Sequence, residues 1–101
     1  MADRTVAASA EIEMAKLVED MPVLIKRLQT EYTRYLSGAE KKPPVFLRGQ
    51  LDKSARRART LMRECQNKAL KFKAQDILSR VDLYTVMWDR KLAALERTRS
   101  K

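Results

Sequence analysis

The chain has 101 residues and carries 22 basic against 13 acidic side chains, a formal net charge of +9 with no histidine. That length supports one domain with one modest core, and the single cysteine excludes an intramolecular disulfide framework. No apolar run approaches the roughly 18–20 residues of a membrane-spanning helix, and the lack of histidine removes the commonest general base and metal ligand.

Only two glycines and three prolines are present, and no segment alternates apolar with polar residues. The pattern predicts an all-α fold. Charge is distributed unevenly along it: residues 1–40 have a net charge of −2, and residues 41–101 a net charge of +11. Residues 1–20 read as an acidic N-terminal helix or arm, with Glu11, Glu13, Glu19 and Asp20 among alanines and a short helix from about Val6 to Glu19. The start of the chain has no apolar core of its own and does not read as a signal peptide, so a cytoplasmic protein is expected. Residues 21–101 read as a basic helical bundle domain.

Pro22 lacks an amide hydrogen and crowds the preceding turn, so a break is expected there, with Asp20 capping a new helix. That second helix runs over about 21–37 with Met21, Leu24, Ile25, Leu28, Tyr32, Tyr35 and Leu36 on its apolar side. Gly38 is placed to end it in the left-handed region. Pro43 and Pro44 open a helix over about 44–65, whose narrow seam is Leu47, Leu51, Ala55, Ala58, Met62 and Cys65. The last helix, about 68–97, has the strongest heptad signal: Leu70, Ala74, Ile77, Val81, Tyr84, Trp88 and Leu95, with Leu92 beside it. The two seams are out of phase by a slip that a continuous coiled coil does not absorb. A turn is therefore expected at Gln66–Lys68, with Asn67 ending one helix and starting the next. The expected architecture is an antiparallel bundle of three main helices plus a short N-terminal one.

No catalytic constellation is legible. Cys65 has no histidine to activate it and lies on an apolar seam, so a buried structural thiol is expected. Asp76, Asp82 and Asp89 read as solvated or salt-bridged rather than as a metal site, and neither glycine belongs to a phosphate-binding loop. The chain is expected to be no enzyme and to need no cofactor or metal.

The informative chemistry is basic. Arg48, Arg56, Arg59 and Arg63 fall within about 80° of one another at 100° per residue, and Lys68, Lys71 and Lys73 follow. Guanidinium forks match carboxylate and phosphate oxygens. These seven residues are the candidate contacts for an acidic protein partner or for nucleic acid. Nothing resembles a base-reading motif, so nucleic-acid binding would act through phosphates. A solvated face with intramolecular pairing is the plain alternative. Tyr32, Tyr35, Tyr84 and Trp88 read mainly as core aromatics. The long last helix outruns the one before it, so Trp88, Leu92 and Leu95, together with Phe46, are candidate hydrophobic contacts for a partner or a second copy in a homodimer.

The series Leu28…Tyr32…Tyr35…Gly38, Pro43/Pro44…Arg48…Gln50-Leu51, Leu70-Lys71-Phe72 and Arg80…Tyr84…Trp88-Asp89-Arg90…Leu92…Leu95-Glu96 resembles a family of small helical domains of unknown function from myxobacteria and related bacteria. The likeness covers about residues 21–97. It implies a helical, bacterial, cytoplasmic domain, sometimes attached to regulatory modules, and implies no activity, cofactor or catalytic residue. The leading functional expectation is a non-enzymatic scaffold or regulatory module docking an acidic partner. A nucleic-acid-binding protein working through the 48–73 surface is the alternative.

Overall fold

A computed structural model describes the backbone of residues 2–99 and the side chains from Ala8 onward. Ser100 and Lys101, at the end of the expected 21–101 unit, lie outside the described residues. Three helices occur in order: α1 (Ala2–Leu36), α2 (Val45–Leu61) and α3 (Lys68–Arg99). No strand occurs among the described residues. The body is a rod of 61 × 19 × 18 Å with a radius of gyration of 16.5 Å; a compact domain of this length would have about 13 Å.

α1 corrects one expectation. The short first helix and the break at Pro22 are absent: a single helix runs from Ala2 to Leu36 with Pro22 inside it. The apolar stripe explains the continuity. Ala10, Met14, Met21, Ile25, Leu28 and Tyr32 are all buried in one core cluster, so the same face of the helix is used before and after the proline. Pro22 itself is exposed. It leaves the Val18 carbonyl without its usual amide donor and costs about 3 kcal/mol. Burial of Met14 and Met21, both fully inaccessible, returns roughly 1.5–3 kcal/mol per side chain on that stripe.

The α1–α2 connection follows the sequence reading. Gly38 has φ +86°, a conformation in which a Cβ is strained. Its N–H donates to the Tyr35 carbonyl at 3.1 Å, and the Glu40 N–H donates to Arg34 at 3.1 Å. Pro44 stands just before α2. The second connection ends at Asn67, inside the expected turn, but it opens earlier than expected: α2 stops at Leu61 rather than near 65, and the Glu64 and Cys65 N–H groups both donate to the Leu61 carbonyl at 3.0 Å. The Asn67 side-chain carbonyl accepts from the Leu70 N–H at 3.0 Å, capping α3.

The core draws on all three helices. Leu51, Ala55, Ala58 and Leu61 of α2 and Ala74, Ile77, Leu78, Val81 and Trp88 of α3 are buried. Leu61 and Leu78 lie outside the narrow seams read from the sequence. A helix that packs against two others buries a wider stripe than a two-helix seam, and these leucines are the added width. Trp88 is the hub of the aromatic packing, 5.0 Å from the Tyr32 ring and 5.6 Å from the Tyr84 ring.

α2 has 17 residues against 35 and 32 in α1 and α3. At 1.5 Å per residue it is about 25 Å long and covers half of the roughly 50 Å of its neighbours. Beyond it α1 and α3 pack on each other alone. Near one end, the Arg99 guanidinium lies 5.6 Å from the Tyr35 ring and donates to the Tyr35 hydroxyl at 3.1 Å.

Candidate docking surface

The basic groups of α2 divide into two sets once the neighbouring helices are in place. The first set is used inside the molecule. Arg48 is the most engaged: it donates a fork to Asp89 of α3 (Nη1 to Oδ1, 3.0 Å; Nη2 to Oδ2, 3.2 Å), and its Nη1 also donates to the Tyr32 hydroxyl of α1 at 3.2 Å. Its Nε donates to Asp52 one turn on, at 3.3 Å, and its guanidinium lies 5.9 Å from the Trp88 ring. One side chain thus ties all three helices together. The Arg48 side chain is only 19% exposed. That burial works against its charge, but the bonds to Asp89 and Tyr32 outweigh it and raise the pKa above the ordinary arginine value.

Arg59 and Arg57 make two further bridges between helices. Arg59 donates to Asp82 of α3 at 2.6 Å. Arg57 donates a fork to Glu13 of α1, with its Nη2 at 2.9 Å. The Arg57 bond holds the Glu13 carboxyl below its ordinary pKa, and Glu13 in turn raises that of Arg57. The α2 arginines therefore point alternately to α3 and to α1. The reason is geometric: Asp82 and Asp89 are seven residues apart and share one edge of α3, while Arg48 and Arg59 share one edge of α2. Matched charges on facing edges of two predicted helices were the available signal, and the sequence reading recorded the residues without pairing them.

The second set has no partner among the described residues. Arg56, Arg63, Lys68 and Lys73 are exposed and Lys71 is half-buried; none of the five makes an ion pair there. Lys53 joins them. It is exposed, sits within about 60° of Arg56 around the helix, and lines a shallow depression with Gly49, Arg56, Arg57, Thr60 and Glu13. Lys53 was not among the sequence candidates because it falls beside the arginine stripe rather than on it. Of the seven candidates, Arg48 and Arg59 thus pair within the fold, and five remain without an ion pair among the described residues: Arg56 on α2, Arg63 in the turn after it, and Lys68, Lys71 and Lys73 at the start of α3.

The four hydrophobic candidates also separate. Phe46 is 77% exposed. Trp88 is 2% exposed, inside the bundle rather than on its surface. Leu92 and Leu95 are half-buried; Leu95 lines a groove with Thr33, Leu36 and Thr98. Of the seam expected to await a second chain, Trp88 packs against Tyr32 of α1, while Leu92 and Leu95 keep part of their surface exposed. Cys65 is buried. No group of three or more metal-ligating side chains occurs among the described residues, and no described helix is long and apolar enough to cross a membrane. No protein-family model matches the chain, and comparison with curated proteins and with solved structures finds no match.

Proposed function

We propose that the chain is a non-enzymatic interaction module of the cytoplasm, built as an antiparallel bundle in which α2 runs against α1 and α3, and that it docks an acidic protein partner on the outward side of α2. One observation carries this reading. After the inter-helix bridges are counted, Lys53, Arg56, Arg63, Lys68, Lys71 and Lys73 stay without carboxylate partners among the described residues. The helix directions are supported by Tyr32 beside Trp88 and by Glu13 beside Arg57. The non-enzymatic character rests on the lack of histidine and on the burial of the one thiol.

The alternative occupant of the same surface is a nucleic-acid backbone. The two differ in their response to salt. Each duplex phosphate neutralised contributes roughly −0.9 to the slope of log K against log salt. Fluorescence anisotropy with a labelled acidic peptide, duplex DNA and single-stranded RNA at several salt concentrations separates them. The acidic peptide is expected to bind at near-physiological salt more tightly than either nucleic acid. Arg56→Glu with Arg63→Glu is expected to abolish that binding with helicity intact, since both side chains are exposed and make no ion pair among the described residues. Tighter nucleic-acid binding with a steep salt slope would transfer the surface to the alternative. Undiminished peptide binding by the double variant would end the proposal.

A further inference from the structure

α3 carries a second stripe that the bundle does not use. Its buried side runs through Ala74, Ile77, Leu78, Val81 and Trp88. On the far side Phe72, Leu83 and Val86 are 74%, 70% and 50% exposed. At about 100° per residue, Phe72, Asp76, Ser79, Leu83, Val86, Arg90 and Ala94 fall within about 80° of one another. The steps between them are three or four residues throughout, the spacing of a helix–helix seam. All seven are exposed.

The pattern is complementary to itself, and from this we infer that a second copy of this chain covers the stripe, α3 against α3, in an antiparallel contact with Leu83 at the two-fold axis. Positions equally far from Leu83 then face each other. Asp76, seven residues before, meets Arg90, seven residues after. Phe72, eleven before, meets Ala94, eleven after, with Ala93 beside it, so the largest exposed side chain lies against the smallest. Ser79, four before, meets Met87, four after. Val86, three after, meets the stem of Arg80, three before, and every pairing except Leu83 on itself occurs twice, as an isologous interface requires. Arg90 has no ion-pair partner among the described residues. Asp76 is held only by the exposed Arg80 on its own helix, at 3.1 Å, and such a pair is worth at most about 0.5 kcal/mol. The free cation and the lightly held anion are the two that this register brings together.

Size sets the strength. The contact from Phe72 to Ala94 is about 33 Å long and about 10 Å wide, well below the roughly 800 Å² per partner of a stable complex. The dimer is therefore a weak one. It leaves Lys53, Arg56 and Arg63 uncovered, while Lys68, Lys71 and Lys73 flank its Phe72 end, so Arg56 and Arg63 are the positions that separate it from the docking function.

Sedimentation equilibrium of the full chain from about 5 to 500 µM, a range spanning weak affinities, tests it. The weight-average mass is expected to rise toward two chains. Leu83→Glu places two carboxylates at the axis and is expected to hold the chain monomeric throughout, with helicity unchanged because Leu83 is exposed. Asp76→Arg and Arg90→Asp are each expected to weaken the dimer at least tenfold, and the two together to restore it. Arg56→Glu is expected to dimerise like the unaltered chain. A monomer at every concentration overturns the inference, as does a dimer indifferent to Leu83→Glu. Failure of the paired charge reversal to restore association overturns the register.

Discussion

Replacing Arg48 separates the two roles an arginine on α2 can play. In the structure Arg48 joins Asp89, Tyr32 and Asp52 and covers Trp88. The cost of Arg48→Ala has three parts. The stem is mostly covered, the side chain being 19% exposed, and removing its methylenes costs about 1.5 kcal/mol at ~0.8 per fully buried group. The Asp89 carboxylate is 61% exposed, so water screens that pair and it contributes about 0.5–1 kcal/mol. The Tyr32 hydroxyl, on a ring 3% exposed, loses a partner at about 0.5–1 kcal/mol. The total is about 3 kcal/mol, a fall in melting temperature of roughly 12–24 °C for a domain of this size. Thermal denaturation by circular dichroism measures it. Arg48→Met keeps the stem over Trp88 and should recover about half of the loss. A double-mutant cycle with Asp89→Ala should give a coupling of about 0.5–1 kcal/mol. Binding of the acidic peptide should change little. A drop of less than about 4 °C, equivalent to under 1 kcal/mol, would show Arg48 to be a solvated surface cation and refute its role as the tie between helices.

Three further outcomes follow from local structure. Pro22→Ala restores an amide donor to the Val18 carbonyl in α1 and should stabilise by about 2 kcal/mol, the proline's cost in a helix less the entropy it removes from the unfolded chain; a lower melting temperature would mean that α1 depends on the proline. Asn67→Ala removes the acceptor of the Leu70 N–H and should cost about 1 kcal/mol in chemical denaturation, with Asn67→Ser recovering most of it. Glu13 has its pKa lowered by the hydrogen bond from Arg57. A carboxyl depressed in the folded state contributes stability that is complete above its unfolded pKa and is lost as pH falls through the folded one. Glu13→Gln should therefore flatten the pH dependence of stability below about pH 4 and leave it unchanged near neutrality; an identical slope in both proteins would exclude the bridge as a contributor.

Much of the architecture is local and so is legible in the chain. The heptad in Ala74, Ile77, Val81 and Trp88 marks the buried face of α3. Gly38 and Asn67 mark the two turns because their backbone and side-chain chemistry act within a few residues. Pro22 misled for a related reason: its cost is local and visible, whereas the compensation comes from Met14, Met21 and Ile25 packing onto helices distant in sequence. Leu61 and Leu78 escaped the seams because a seam drawn for one neighbour is narrower than the face a helix buries between two.

The surface divides in the same way. Composition alone determined that the chain is helical, basic and without histidine chemistry, since charge and residue type do not depend on neighbours. Which cations are free depends on what folds against them. Arg48, Arg56, Arg59 and Arg63 form one stripe on an isolated helix. Only the approach of Asp89 on α3 and of Tyr32 on α1 draws Arg48 inward, only Asp82 gives the exposed Arg59 a partner, and Arg56 and Arg63 are left facing water. An ion pair forms between facing edges of two helices, and the facing of edges is a property of the packed bundle.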